Sequence, residues 1–207
     1  MELVTIISFL GASVLLTLAP GPDILYVMTQ SITQDKKAGI FTAFGLCSGV
    51  LIHTTAAAIG ISAILYSSTA IFNGVKLIGA SYLLYLAYKE FRSKSEESAI
   101  LKGEALEYSK LYKKGVLMNV LNPKVALFFL ALLPQFINEN GINVGVQMMI
   151  LGIIFMIQAF IIFSLISFFS GTIGDKLLKN RKIASKFNFI KGTVYAIIGI
   201  NIALSSK

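Results

Sequence analysis

Tryptophan is absent from these 207 residues, cysteine and histidine occur once each, and acidic residues number only ten. A single cysteine, Cys47, excludes an intrachain disulfide and any CxxC redox or metal pair, and a single histidine, His53, excludes a multi-histidine metal site. H-E-x-x-H, G-x-S-x-G and P-loop signatures are missing as well. Hydrolytic enzymes, cofactor-bearing proteins and nucleotide-driven pumps therefore find no residues to rest on, and any uphill movement must draw on an ion gradient. Charge is scarce too: 14% of residues are charged against 56% hydrophobic, with a mean hydropathy of +0.78. A water-soluble domain of this length would lack polar residues to cover its surface.

What is present is apolar length. Runs able to cross a bilayer extend approximately over Leu3 to Ile32, Gly39 to Leu65, Thr69 to Tyr88, Gly115 to Ile137, Ile142 to Ser170 and Phe187 to Ser205, matching the ~20 residues a transmembrane helix needs. No period-2 alternation suggests a barrel. The expected fold class is all-α, a polytopic membrane protein with six transmembrane helices. Met1-Glu2-Leu3 has no basic n-region, so the first run reads as a retained span. The cations test the count. Lys36 and Lys37 follow span 1; Lys89, Arg92, Lys94, Lys102, Lys110, Lys113 and Lys114 lie between spans 3 and 4; Lys176, Lys179, Arg181, Lys182, Lys186 and Lys191 lie between spans 5 and 6. Six alternating spans place all of these on one face, and the positive-inside rule makes that face cytoplasmic, with both termini outside. The net charge of +8 is then an orientation signal that also attracts membrane lipids, and nucleic acid is not an expected partner.

The charged segment 89–114 divides the chain into a first three-helix repeat (1–88), a cytoplasmic linker and a second three-helix repeat (115–207). An odd number of spans per half requires the repeats to be inverted, and matching helix breaks are the expected trace. They occur at "APGPD", Ala19 to Asp23, and "LNPK", Leu121 to Lys124. Pro20 and Pro22 deprive the Leu16 and Leu18 carbonyls of their usual donors, and Pro123 does the same to Asn119. Such backbone persists at membrane depth only against protein or a wet cavity. Each break also reads as a new helix start, Gly21 before Pro22 and Asn122 before Pro123. Asp23 and Lys124 then hold equivalent positions, roughly 15–20 Å from the nearest cytoplasmic lysines at ~1.5 Å per residue. A helix N-terminus favours Asp23 there, whereas Lys124 together with that dipole would make an anion site suited to a carboxylate. Two readings stand: a buried ion pair that locks the halves, or a transport pathway in which Asp23 takes an ammonium or proton.

In span 2, Thr42, Gly45, Gly49, His53, Ala56 and Gly60 share one helix face, where small residues permit close helix approach. That seam could face the chain's own cavity or a second subunit, so a homo-oligomer is possible. His53 is either a proton relay or a hydrogen bond between helices. Lys76, near the outer end of span 3, either snorkels outward or contacts substrate. Asn119, Gln158 and Asn201 are expected as interhelical hydrogen bonds, and Cys47 as packing.

The segments "LAPGPD", "GIFTAFGLCSGVLIH", "VKLIGASYLLYLAY" and "KKGVLMNVLNPKVALFFLALLPQF" resemble the LysE/RhtB family of amino-acid exporters over at least the first two thirds of the chain. The resemblance implies a bacterial inner-membrane exporter of amino acids or close derivatives, driven by proton antiport, with six helices in two inverted triples. The family motifs fall on Pro20, Gly21, Pro22 and Asp23 and on Asn122, Pro123 and Lys124. With Asp23 as the one acid of the breaks, neutral substrates are favoured over basic ones. The combined expectation is a zwitterion held between the breaks, its carboxylate near Lys124 and Asn122 and its ammonium near Asp23, with alternating access. The rivals are a membrane thiol-disulfide carrier, which needs a second cysteine, and a non-transporting scaffold.

Overall fold

Each proline break ends one helix and begins another. In the computed structural model, which describes residues 2–19, 21–67, 69–92, 106–138, 140–178 and 181–204, α1 (Leu3–Leu18) stops before Pro20 and α2 (Pro22–Thr33) starts at Pro22. Gly21 is the N-cap residue and Pro22 sits in the first turn, where its missing N–H costs nothing. Asp35 then caps the next helix, its Oδ1 accepting the Ala38 N–H at 2.7 Å. There follow α3 (Lys36–Ser67), α4 (Thr69–Arg92), α5 (Tyr108–Val120) and α6 (Pro123–Leu127). The chain continues as a π-helical turn, Phe128–Leu132, and a 3-10 turn, Leu133–Phe136, and closes with α7 (Val144–Leu178) and α8 (Arg181–Leu204). No strand occurs among the described residues.

Helices α3 and α7 are long and apolar enough to cross a membrane by length and composition. The count rises to four if α1 with α2, bent by 58°, and α5 with the segment Pro123–Phe136, bent by 49°, are each one broken span. Among the described residues, the six apolar runs of the sequence lie mostly on helix, interrupted at the two breaks and before α7. Of the earlier expectations, Pro20, Lys94, Lys102 and Lys179 lie outside the described residues, as do 93–105 of the expected linker and the side chain of Asn201. Large apolar side chains cover the outside, among them Leu3, Ile59, Ile78 and Leu204, each at least two-thirds exposed.

The two halves interleave. α3 packs along α5 and α7, and α4 along α8. The glycine seam of α3 explains its closeness to α5: a Cβ on Gly45 would collide with the Tyr112 carbonyl, one on Gly49 with Asn119, and one on Gly115 with the Thr42 carbonyl. That seam is thus occupied by the chain's own α5, and Gly60, with nothing near it, does not belong to it. Elsewhere an aromatic cluster fixes the π-helical turn, with Phe128 and Phe129 against Phe155 of α7 at 5.2 and 5.3 Å and Phe9 of α1 against Phe136 at 5.3 Å.

Candidate functional site

The two new helix starts meet. Asn122 caps α6 with its own side chain, Oδ1 accepting the Lys124 N–H at 3.0 Å, while its Nδ2 donates to Oδ2 of Asp23 at 2.7 Å. One asparagine therefore satisfies the start of one half-helix and ties it to the first turn of the other. Asp23 is 4% exposed, a burial tolerable for a carboxylate only because a hydrogen bond, a nearby ammonium and the positive end of α2 all act on it.

Lys124, 6% exposed, does not extend along its own half-helix. Its Nζ donates to the carbonyls of Leu16 at 3.2 Å and Ala19 at 3.3 Å, at the end of α1. Leu16 is a residue whose carbonyl a proline at position 20 cannot serve. The ammonium thus replaces a missing backbone donor and lies at the partly negative end of a helix, which reverses the unfavourable placement expected from its position in α6. A Cβ at Gly21 would just touch the ammonium, 3.4 Å from Nζ, an ordinary contact.

His53 plays the corresponding part at the other break. Its Nε2 lies 3.0 Å from the carbonyl of Asn119, the group Pro123 leaves without its helical donor. A carbonyl only accepts, so Nε2 carries the hydrogen. The Asn122 N–H shares that carbonyl at 2.9 Å. This geometry is that of a hydrogen bond between helices. Lys76, expected either to snorkel outward or to contact substrate, is 8% exposed and is not among the residues lining the chamber. Gln158 joins α7 to α1, donating to Thr17 Oγ1 at 2.9 Å.

Between these groups lies a small, partly open cavity of about 10 Å³, room for roughly one water molecule. Thr17, Asp23, Asn119 and Lys124 give it polar corners; Leu46, Val50, Val125, Phe155, Ala159, Phe163 and Cys47 make the rest of the wall apolar. Two oxygens of the lining residues, Asp23 Oδ1 and Asn119 Oδ1, are buried without a hydrogen-bond partner, as is Gln158 Oε1 behind Thr17. The two that line the chamber are acceptors and can take a hydrogen bond from a donor that enters it. Among the described residues no cluster of three metal-ligating side chains exists. Sequence reasoning missed Thr17 and the reach of Lys124 to α1; the orphaned Leu16 carbonyl was the signal for the latter.

The uncharacterized membrane protein YrhP of Bacillus subtilis is 31% identical over 97% of this chain and 99% of its own. A leucine efflux protein of Salmonella typhimurium is 25% identical over 91% of this chain and 89% of its own, and an uncharacterized membrane protein of Vibrio cholerae is 27% identical over 95% of each. No solved structure matches. The family model described as LysE type translocator matches residues 4–206, and the chain belongs to that family of membrane transport proteins.

Proposed function

We propose that this protein is a secondary exporter of amino acids, working by proton antiport and alternating access from the inner membrane, with both termini outside. Its six spans are α1 with α2, α3, α4, α5 with α6 and the turns behind it, α7, and α8. The packing of α3 on α7 and of α4 on α8 supports two inverted repeats of three spans, 1–88 and 115–207, because those are the pairs a two-fold axis would relate. The two bent spans, 58° and 49°, support the same relation.

One observation carries the functional reading: Asp23, buried at the meeting of two helix starts, keeps one carboxylate oxygen without a partner. In this reading that oxygen takes the substrate ammonium, and Lys124 turns from the α1 carbonyls to the substrate carboxylate. A cavity of about 10 Å³ is too small for an amino acid, so in this reading the chamber widens when the substrate enters. Proton binding at Asp23 replaces the departing ammonium and lets the empty carrier return, while His53 holds the second break in shape. The apolar wall and the leucine efflux relatives favour a neutral aliphatic substrate.

Uptake of radiolabelled leucine and other neutral amino acids into inverted vesicles under an imposed proton gradient tests this. Uptake should require the gradient and disappear in Asp23→Asn. Gradient-independent uptake, or wild-type rates in both Asp23→Asn and Lys124→Met, would refute the assignment.

A further inference from the structure

Asp23 is the first of a line. Asp23, Tyr26, Gln30 and Gln34 follow one another along α2 at spacings of three and four, which puts them on one helix face. Tyr26 and Gln30 are 7% and 3% exposed, yet the Tyr26 hydroxyl and Gln30 Oε1, like Asp23 Oδ1, have no hydrogen-bond partner. A buried polar atom without a partner calls for a reason. Three such atoms in a row lead away from the chamber along one face of α2.

The far end of the line is fastened. Gln34 pairs with the backbone of Leu106 in both directions, Nε2 to the carbonyl and the Leu106 N–H to Oε1, each at 3.0 Å. Beside it Tyr108 donates its hydroxyl to Asp35 Oδ2 at 2.8 Å and stacks on Phe41 at 4.9 Å. In between, Tyr26 packs with Ala38 and Leu111, and the Lys114 ammonium lies 4.8 Å over its ring. The helices around it are unequally joined. α3 and α5 are locked through glycines, whereas α2 rests on α3 and α7 and meets α5 only lightly. Opening between α2 and α5 therefore separates side chains and few backbone contacts.

We propose that the α2–α5 seam is the passage between the chamber and the lysine-bearing face, that Tyr26 is the side chain closing it, and that the Gln34–Leu106 and Asp35–Tyr108 bonds hold it shut. The proposal rests on the exporter reading and adds the route. Along it a zwitterion entering past Gln34 meets the Gln30 side-chain oxygen first and the Lys114 ammonium, over the Tyr26 ring, further in, groups suited to its ammonium and its carboxylate in turn.

The test uses Gln30→Cys in the full chain, reconstituted in vesicles and treated with a membrane-impermeant cationic thiosulfonate. Modification is read at residue 30 by peptide mass spectrometry, so native Cys47 stays in place. Residue 30 should react only from the face bearing Lys36, more slowly with saturating leucine, and roughly tenfold faster once Tyr108→Phe removes one clasp bond. If Gln30→Cys does not fold, Tyr26→Cys, which itself removes the closing ring, reports the face of entry and should react from the Lys36 face without needing Tyr108→Phe. Reaction equal from both faces, reaction from neither while Lys37→Cys reacts, or no acceleration by Tyr108→Phe would overturn the passage. Leucine-dependent thermal stabilisation of the same samples separates the two claims. If it persists while residue 30 behaves wrongly, the route is wrong and the binding site stands. If no neutral amino acid stabilises the protein, the exporter reading fails whatever the labelling shows.

Discussion

At the residue scale, Asn122 does two jobs that substitution can separate. Asn122→Ala removes the α6 cap, costing about 1 kcal/mol, and strips Asp23 of its hydrogen bond, adding roughly 1–3 kcal/mol for a buried acceptor left bare. Asn122→Asp keeps the cap acceptor but sets a second carboxylate against Asp23, and should melt lower than wild type at neutral pH. Thermal unfolding in detergent checks both, with partial recovery of Asn122→Asp expected as acid protonates one of the pair. Asp35 supplies a pH prediction at the surface. The Ala38 N–H first, then the Tyr108 hydroxyl, hold its carboxyl below the ordinary value of 3.8. A carboxyl lowered by folding stabilises above its unfolded pKa and loses that contribution as pH falls through the folded one. Acid destabilisation below about pH 4 should therefore be shallower in Asp35→Asn, measured as the melting temperature between pH 3 and 6. An identical acid limb would show that the capping bond does not persist in solution.

At the scale of the element, the α3–α5 contact makes a two-sided prediction. A Cβ on Gly115 would stand 2.6 Å from the Thr42 carbonyl oxygen and 2.9 Å from the Leu46 nitrogen, both backbone atoms that cannot swing aside. Gly115→Ala should cost ~1–3 kcal/mol or more as overpacking. Gly60→Ala, in the same apparent pattern but facing open space, should be neutral or stabilising by up to about 1 kcal/mol from helix propensity. The pair is read by thermal unfolding, and equal effects would contradict the seam. The sequence made the seam visible through its spacing, as it did the helix starts, because Gly21-Pro22 and Asn122-Pro123 are local chemistry. It did not show which helix fills the seam, nor that Gly60 lies outside it, because periodicity describes a face and not its neighbour. The run "FFLALLPQF" was equally opaque: it reads as ordinary spanning helix, while packing against Phe9 and Phe155 accompanies a π-helical and then a 3-10 turn.

Over the whole molecule, the two prolines at 20 and 123 announced orphaned carbonyls, but the donors that replace them, Lys124 for Leu16 and His53 for Asn119, come from other helices and only the fold identifies them. Those replacements mean that each break is closed by an element that must yield if the chamber is to grow. In the proposed cycle, enlargement from room for one water to room for an amino acid parts helices of the first half from helices of the second. A point where they are joined is Ser31 on α2, whose hydroxyl donates to Ser167 on α7 at 2.9 Å, while Ser167 in turn donates to the Lys36 carbonyl at 2.8 Å. Two oxygens that close leave their Cβ atoms near disulfide range. The double variant Ser31→Cys/Ser167→Cys should cross-link under mild oxidation, and the cross-linked protein should lose leucine uptake into inverted vesicles and regain it on reduction. Each single variant controls for the loss of one hydroxyl, worth about 1 kcal/mol. Full uptake by the oxidised double variant would mean that α2 and α7 travel together, and would place the moving boundary between α2 and α5 alone.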